Sequence, residues 1–416
     1  MLVKTLLNKV EKHKGFVYDD VRLVEGGKDR LVVTIRPDKR CNPTCSGCDQ
    51  RGPRYDTSRD TRYFEFVPLW GIVVMFAYRM RRVDCKRCGV KTEKVPWADG
   101  KSPVTTSYSW FLAHWAKLMT WNQVASAFGT TWDTVFRAVG IAVAWGLEHR
   151  DLKGIRCIGV DEVHWHHGPK YLTVVYQIDK HCKRLLWLGK ERTTETLDAF
   201  FDEFGLRARW LEYVCSDMWR PYLNVLAKRA KRATHVLDRY HIVAKVNKAI
   251  DEVRADEAKR MKADGFDPLL KHSRWCLLKR PENLTDKQNH KLADLLHYNL
   301  RTVRAYLLKE ELTLLWEQPT PEAAETFLKD WTFRAMRSRI EPDKKIARML
   351  RRHQPLILNW FRAEGMLSSG AVEGLNNKLK VITRSSYGFR TFKAAQMALY
   401  HKLGKLPEPK LAHKFF

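Results

Sequence analysis

The sequence contains no uninterrupted apolar run of the roughly 18 residues that a membrane-spanning helix requires. Its longest apolar stretches, such as residues 70–78, have only the length of a strand. Residues 1–4 carry no apolar segment followed by a cleavage site, so we expect no secretion signal. These absences predict a cytoplasmic protein that does not enter a membrane.

Acidic residues are scarce relative to basic ones. The 416-residue chain has 47 Asp and Glu against 75 Lys and Arg, which gives a formal net charge of +28. The content of 44% apolar and 11% aromatic residues favours a folded protein, without a long low-complexity segment or an internal repeat. A folded chain this basic indicates a nucleic-acid partner, because neutralising phosphates dominates such affinity. A ribosomal or chaperone-like role is the competing interpretation of the charge.

The nine cysteines are an odd number and do not suggest a disulfide framework. Four of them form two C-x-x-C units, Cys45/Cys48 and Cys85/Cys88, which bracket strand-like sequence. Two such units can place four thiolates around a zinc ion, so we expect a structural zinc ribbon. Cys41 is an alternate ligand, and reduced, solvent-facing cysteines are the non-functional interpretation.

A helical pattern follows the ribbon. We expect helices over residues 107–119 and 121–128, a turn at Gly129, and a third helix that Thr130 or Thr131 caps and that runs to about Leu147. This arrangement resembles a helix-turn-helix, whose third helix would present Thr131, Thr134 and Arg137 to the DNA major groove. A three-helix bundle without a role in DNA binding is the alternative.

The pattern changes after residue 154 to that of a mixed α/β sheet. We predict strands over residues 155–160, 171–178, 185–188, 211–215 and 234–237, with helices over 194–204 and 219–232. Asp161 and Asp217 directly follow two of these strands. Such ends collect ligand-binding side chains in α/β sheets, although one Asp in this position often only caps a turn.

A predicted helix near the C-terminus, within residues 368–384, has two separate faces. The apolar face carries Val372, Leu375, Leu379 and Ile382; the polar face carries Glu373, Asn377, Lys380 and Arg384. Glu373 on such a face can simply be a solvated residue near a helix N-terminus. Together with Asp161 and Asp217, however, it supplies the three carboxylates that a two-metal phosphoryl transfer with Mg²⁺ requires.

Six blocks follow one another along almost the whole chain. They are the C-x-x-C pair leading to 95–98, then 159–162, 216–219, 238–245, 371–378 and 384–390. Together they resemble the ISL3 family of bacterial insertion-sequence transposases. The resemblance implies an RNase H-like core whose DDE triad falls on Asp161, Asp217 and Glu373. It also implies a D-x-x-H element on Asp238 and His241 that supports the site, and a helical insertion before Glu373.

We therefore expect a multidomain α/β protein with an RNase H-like mixed-sheet catalytic core and an all-α insertion, preceded by a zinc ribbon and a helix-turn-helix. The predicted segments are 1–98 (β region and ribbon), 99–150 (helix-turn-helix), 151–250 (first part of the core), 251–356 (helical insertion) and 357–416 (C-terminal core helices). The insertion is expected to contact DNA or to dimerise, with a purely structural bundle as the alternative. We interpret His164, His166 and His167 as a hairpin turn without a role.

The predicted function is that of a DNA transposase in the bacterial cytoplasm, associated with the nucleoid. It would bind terminal inverted repeats and target DNA as a homodimer or a larger assembly. Strand cleavage and transfer would use two Mg²⁺ ions, with Mn²⁺ as a substitute, and Lys378, Lys380 and Arg384 would follow the phosphates together with Asn377. The alternatives are a transposase-derived regulator that binds DNA without catalysis and a nuclease that does not join strands.

Overall fold

The computed structural model describes residues 3–26, 29–166, 170–266, 269–363 and 370–410, except for the side chain of residue 166. Within these ranges, no helix has both the length and the hydrophobicity needed to cross a membrane. Contacts divide the chain into two compact units. The first comprises the residues up to Asp151 and those from Ile382 onward, and the second comprises Leu152–Val381.

The first unit opens with helix α1 (Val3–Val10) and two small sheets. Its strands are Phe16–Val24 (β1), Arg30–Pro37 (β2), Arg54–Thr57 (β3), Arg62–Leu69 (β4), Ile72–Tyr78 (β5), Arg81–Cys85 (β6) and Gly89–Thr92 (β7). One sheet has the order β1-β2-β5-β4 and the other β3-β6-β7. Strands β1 and β2 are antiparallel neighbours.

Three helices follow in the first unit: Thr106–Leu118 (α2), Trp121–Ala127 (α3) and Trp132–His149 (α4). Threonine side chains cap all three, and Thr120 forms a reciprocal capping box with Gln123. Gly129 has φ +63°, a conformation that favours glycine and that lets the chain turn between α3 and α4. The predicted helix bounds differ from these by no more than about two residues.

The second unit is built on a five-stranded mixed sheet of order β10-β9-β8-β11-β12. Its strands are Cys157–His166 (β8), Lys170–Asp179 (β9), Cys182–Lys190 (β10), Tyr213–Ser216 (β11) and Thr234–Leu237 (β12). Strand β9 is antiparallel to both β8 and β10, whereas β11 lies parallel to both β8 and β12. The expected mixed α/β architecture is confirmed.

Helices complete the second unit. They are Thr194–Phe204 (α5), Arg220–Arg229 (α6), Arg239–Ala263 (α7), Arg274–Leu278 (α8), Asp286–Leu296 (α9), Arg301–Thr313 (α10), Pro321–Arg337 (α11) and Glu341–Arg362 (α12), with short 3₁₀ helices at Gly205–Trp210, Pro281–Asn283 and Leu314–Glu317. Side chains of α5 and α6 share one apolar core with Ile158 and Val160 of β8. Helices α7 to α12 enclose a second core, and α12 packs against β12.

The last two helices are Gly370–Ser385 (α13) and Phe392–Leu403 (α14). The four apolar residues predicted for α13 are all buried, at 1–8% exposure. The two serines that open the predicted helical stretch, Ser368 and Ser369, lie outside the described residues. Helix α14 packs against α4 in the first unit, whereas the sequence-based segments placed it with the core. Ala394, Ala395 and Ala398 give α14 a small-residue face for this contact.

Candidate active site

Three aspartates stand side by side at one edge of the five-stranded sheet. The two parallel ladders match Val160 with Ser216, and Ser216 with Leu237. The next residues along these strands are Asp161, Asp217 and Asp238, so the strand register brings three carboxylates to the same level. Neighbouring strands lie ~4.8 Å apart. All three side chains are buried, with exposures of 6%, 9% and 4%.

Asp161 is held by hydrogen bonds on both of its carboxylate oxygens. The backbone N–H of Glu162 donates to Oδ1 at 2.8 Å, and Asn376 Nδ2 on α13 donates to Oδ2 at 2.5 Å. The Tyr176 hydroxyl on β9 donates in turn to Asn376 Oδ1 at 2.8 Å. A buried chain of three side chains, Tyr176, Asn376 and Asp161, therefore fixes the orientation of the carboxylate.

Helix α13 reaches Asp161 because β8 carries a glycine two residues earlier. Residues two apart in a strand face the same side of the sheet, so Gly159 and Asp161 both face α13. A Cβ atom at Gly159 would lie 2.4 Å from Val372 Cγ2. The missing side chain therefore permits the close approach that places Asn376 against the carboxylate.

Two groups hold the Asp217 carboxylate: the backbone of the turn that follows it and an arginine. The Trp219 N–H donates to Oδ1 at 3.0 Å, and Arg192 Nη2 contacts Oδ2 at 3.4 Å. The same guanidinium places Nη1 2.6 Å from Glu162 Oε1, and it lies 4.1 Å above the Trp219 ring. Burial raises the pKa of Asp217 even though both of these donors oppose it.

Glu162 brings a further carboxylate to the same place. Burial and the charge of Asp217 raise the pKa of Glu162 to about 7, against the effect of Arg192. Its buried Oε2 has no hydrogen-bond partner among the described residues. Carboxylates are therefore crowded around Asp217, with Arg192 as the contacting cation.

His241 faces the aspartates from the first turn of α7. Asp238 caps this helix by accepting a hydrogen bond from the Tyr240 N–H at 2.9 Å, and burial raises the pKa of Asp238 to about 6. His241 Nε2 lies 3.7 Å from Asp161 Oδ1 and 4.0 Å from Asp238 Oδ2. Burial lowers the histidine pKa, but Asp161, Asp238 and Asp217 outweigh it and raise the value to about 9. The histidine of the D-x-x-H pair thus lies beside the predicted site residue Asp161.

Glu373 stands apart from the buried aspartates. It is exposed in the first turn of α13, and it is near enough for its charge to raise the pKa of Asp238. Within the described ranges, the four cysteines are the one cluster in which three or more potential ligand atoms lie within 4.8 Å of one another. Asp161, Asp217 and Glu373 therefore do not form a closed ligand set in this conformation. The predicted phosphate-following residues Asn377, Lys378, Lys380 and Arg384 are all exposed on the same helix.

Two sequence-based expectations need correction. Asp161 does not end its strand, because β8 continues to His166 and pairs with β9 along that length. Asp161 instead follows Val160, the last residue of β8 that pairs with the parallel strand β11. His164 consequently lies in a strand and not in a turn, with its ring 4.0 Å from that of Tyr171. His166 ends the strand, and His167 lies outside the described residues.

Asn376, Glu162 and Arg192 were not identified from the sequence. One signal for Asn376 was available: it lies four residues after Val372 and three before Leu379, so it belongs to the buried stripe of α13. A polar residue within an apolar stripe needs a buried partner. No comparable signal exists for Arg192, which lies between β10 and α5 and meets its partners only through the fold.

The donor set of this site suits Mg²⁺. It offers carboxylate oxygens, the ligands that hard divalent cations prefer. Burial raises the pKa of Asp217 and of Asp238, because ionising a buried carboxyl is costly without more positive charge nearby. A bound cation would relieve this cost, and Asp161 and Asp217 are the residues best placed to hold it.

The four predicted zinc ligands do converge in the first unit. The Sγ atoms of Cys45, Cys48, Cys85 and Cys88 all lie within 4.8 Å of one another, and those of Cys48 and Cys85 are 3.6 Å apart. Backbone N–H groups of Cys88 and Arg87 lower the pKa of Cys85 to about 7. Cys41 lies outside the cluster. A Cys₄ set of this kind matches a closed, structural zinc site.

The first turn of α4 presents the residues predicted to contact DNA. Thr131 is the N-cap, and its hydroxyl accepts a hydrogen bond from the Thr134 N–H at 3.2 Å. Arg137 is exposed one turn further on, where its Nε donates to the Asp133 carbonyl at 3.2 Å. Thr131 therefore has a structural task, whereas the charged end of Arg137 is accessible.

Comparison with known proteins identifies the class. Residues 158–399, more than half of the chain, match the model of the ISL3 family, which is described as transposase. The chain belongs to the ISL3 family of transposases, as the sequence blocks predicted. By family it is an enzyme that cleaves and joins DNA.

Relatives extend the similarity over almost the full length. The chain is 28% identical over 396 residues to the transposase for insertion sequence element IS1001 of Bordetella parapertussis, covering 94% of this chain and 96% of the relative. It is 28% identical over 408 residues to the transposase for insertion sequence element IS1557 of Mycobacterium tuberculosis, covering 91% and 90%. Among solved structures, a chain of the Drosophila P element transposase strand transfer complex matches with 7% identity and a TM-score of 0.39, covering 73% of this chain and 93% of that one.

Proposed function

We propose that this transposase binds the terminal inverted repeats of its insertion sequence, cleaves a strand at each end, and joins the freed 3′-hydroxyl to target DNA. The observation that carries the proposal is the register-matched set Asp161, Asp217 and Asp238 at one edge of a mixed sheet. Its burial and its shortage of positive charge suit metal-assisted phosphoryl transfer.

The second unit would be an RNase H-like core. Three antiparallel strands followed by two parallel ones, with α5 and α6 on one face and α13 on the other, support this assignment. Residues 251–356 would be the helical insertion; they lie between Asp238 and Glu373 and include helices α8 to α11.

Asp161, Asp217 and Glu373 would hold two Mg²⁺ ions, or Mn²⁺ in their place. Metal ions bound in such pairs activate a water and stabilise the leaving oxygen of an in-line displacement. Asn376 would keep Asp161 oriented, and Arg192 would keep Asp217 oriented. Glu373 would complete this ligand set from the first turn of α13, where it is exposed.

The N-terminal modules would select the DNA. The zinc-bound ribbon and helices α2 to α4 would recognise the terminal repeat, with Thr131, Thr134 and Arg137 on the major-groove side. Asn377, Lys378, Lys380 and Arg384 would contact phosphates along the exposed face of α13. The enzyme would act as a homodimer or a larger assembly on DNA at the bacterial nucleoid.

The test is incubation of the purified chain with Mg²⁺ and DNA carrying the repeats that flank its own gene, with nicked and joined products scored separately. Asp161→Asn, Asp217→Asn and Glu373→Gln should each abolish cleavage while repeat binding stays near wild type. Asp294→Asn, a carboxylate at the protein surface that pairs with Lys291, is the matched control and should cleave normally.

Each other outcome has a distinct meaning. Cleavage within tenfold of wild type in one triad variant would remove that residue from the metal site. Repeat binding without any cleavage by the wild-type chain would favour the regulator, and nicking without joined product would favour the nuclease.

A further inference from the structure

A cavity of about 460 Å³ opens beside the aspartates, at the ends of β8, β9 and β10. Two aromatic side chains line it, Trp165 and Tyr171. Among the described residues of its wall, Lys170 and Lys190 supply two cations and Glu191 is the one acidic residue. This cavity lies outside the set of carboxylates proposed to bind metal, and the function proposed above assigns it no ligand.

One arginine connects the cavity to the active site. Arg192 belongs to the cavity wall, where its guanidinium lies 5.9 Å from the centre of the Tyr171 ring. The same guanidinium contacts Asp217 at 3.4 Å and Glu162 at 2.6 Å. A ligand in the cavity would therefore lie next to the residue that orients Asp217.

The chemistry of the lining defines the class of ligand. Three cations against one acidic residue favour an anion, and two aromatic rings favour a flat, apolar or π-rich group. The volume lies in the range of ~300–1,000 Å³ typical of pockets for small molecules. A nucleotide combines a phosphate with a planar base, and base-aromatic stacking next to cations is the usual way that proteins hold unpaired nucleotides.

We propose that this cavity receives one unstacked nucleotide of the DNA strand that is cleaved at Asp161 and Asp217. The proposal rests on the function proposed above. Trp165 lies four residues beyond Asp161 on β8, which corresponds to ~13 Å along a strand. DNA advances 3.4 Å per nucleotide on each strand, so the inserted base should lie within about four positions of the cleaved bond.

The experiment is a fluorescence scan with 2-aminopurine, which brightens when its base leaves the stack. The label is placed singly at each of the four positions on either side of the cleavage site of a repeat-bearing duplex, and wild-type protein is added. A rise in fluorescence at one position is expected. Free 2-aminopurine deoxyribonucleotide, titrated in parallel, distinguishes a site for a nucleotide in the strand from a site for a soluble nucleotide.

Substitutions test whether the fluorescence signal arises in the cavity. Trp165→Ala should remove the fluorescence rise and slow cleavage by roughly 5- to 150-fold, the value of one stacked base. Trp210→Ala is the matched control, because Trp210 is 75% exposed on a 3₁₀ helix and is not part of the cavity lining. An abasic nucleotide at the responding position should make the wild type and Trp165→Ala cleave at the same rate.

Thermal unfolding and repeat binding of Trp165→Ala show whether the variant is folded, and Tyr171→Leu serves as a second variant of the lining. A DNA that is cleaved with no fluorescence response at any position would overturn the cavity proposal and leave the transposase function standing. A response only to the free nucleotide would also overturn it. Failure of the wild-type protein to cleave any repeat-bearing DNA would refute the function itself, and the cavity proposal with it.

Discussion

The Asn376 amide donates to Oδ2 of Asp161 at 2.5 Å, although 215 residues separate the two in sequence. The neighbouring Asn377 is exposed, because successive residues on a helix point about 100° apart. Two adjacent asparagines therefore have separate tasks. One orients a carboxylate inside the protein, and the other is available to DNA.

Asn376→Ala should raise the Mg²⁺ concentration that half-saturates cleavage by ~10- to 100-fold, the usual cost of losing a partner of a metal ligand. Repeat binding should stay unchanged. Asn377→Ala should instead weaken DNA binding and leave the Mg²⁺ dependence of cleavage as in wild type. Tyr176→Phe should shift the Mg²⁺ dependence less than Asn376→Ala does. Weakened DNA binding in Asn376→Ala, at an unaltered Mg²⁺ requirement, would contradict this division of tasks.

Gly159→Ala should destabilise the protein by ~1–3 kcal/mol, because the new Cβ would overlap Val372 Cγ2 and push α13 outward. Adding Val372→Ala should restore part of the loss, which a double-mutant cycle in chemical denaturation would measure. Gly374→Ala is the control. A Cβ there meets nothing within 4 Å, and alanine favours a helix by ~0.8–1 kcal/mol over glycine. Equal destabilisation by both glycine substitutions would refute the argument.

A single zinc ion should copurify with each chain in the absence of chelators, as elemental analysis can establish. Cys85→Ser should lose the metal and unfold the ribbon, because structural zinc contributes folding free energy directly. Cys41→Ser should keep it, since Cys41 lies outside the four-cysteine cluster. Zinc-free wild-type protein with an intact fold would disprove the site.

Asp343 should give the fold a measurable pH dependence. Burial raises its pKa from about 3.8 to about 6, despite the opposing charge of Arg301, and its Oδ2 has no hydrogen-bond partner among the described residues. A carboxyl with a raised folded-state pKa favours folding while protonated. The stabilising contribution of Asp343 is therefore fully present below about pH 4, and it is lost as the pH rises toward 6.

Asp343→Asn should therefore unfold at a higher temperature than wild type at pH 8, by up to ~3 kcal/mol of free energy. The difference should shrink as the pH falls toward 4. Asp294→Asn, at a surface position, should behave like wild type throughout. A stability difference independent of pH would show that Asp343 is not the titrating group.

Arg137→Ala should weaken binding to the terminal repeat more than binding to random DNA. A base contact is worth ~1–3 kcal/mol of discrimination, whereas a phosphate contact affects all sequences alike. Competition binding at fixed salt measures the ratio. Equal losses on both DNAs would place Arg137 on the phosphate backbone instead.

Helices α2 to α4 were predicted well because their signals are local. Thr105, Thr120 and Thr131 each cap a helix by accepting a hydrogen bond from the backbone N–H three residues ahead. Short stretches of sequence therefore determine where these helices begin. Strand bounds depend on partners that are distant in sequence. The pairing of β8 with β9 carries the strand five residues beyond Asp161, which the sequence after Asp161 does not reveal.

The same contrast applies to the candidate site. Asp161 and Asp217 were identifiable because each follows an apolar strand. Predicting that Asp238 lies level with these two aspartates requires the strand register. Predicting the role of Asn376 requires the close approach of α13 at Gly159. Arg192 has no local signature, because its partners Glu162 and Asp217 are reached only through the folded sheet.

The placement of α13 and α14 has a consequence for protein synthesis. Asn376 and Glu373 belong to one helix, and α14 covers α4, yet both helices are synthesised after the elements that they contact. A domain usually folds once its residues have left the ribosome. Neither unit of this chain is complete until α13 and α14 have emerged. A copy shortened by a premature stop before α13 would lack part of the active site as well as the support of α4, so it should neither cut DNA nor compete with intact transposase for the element ends.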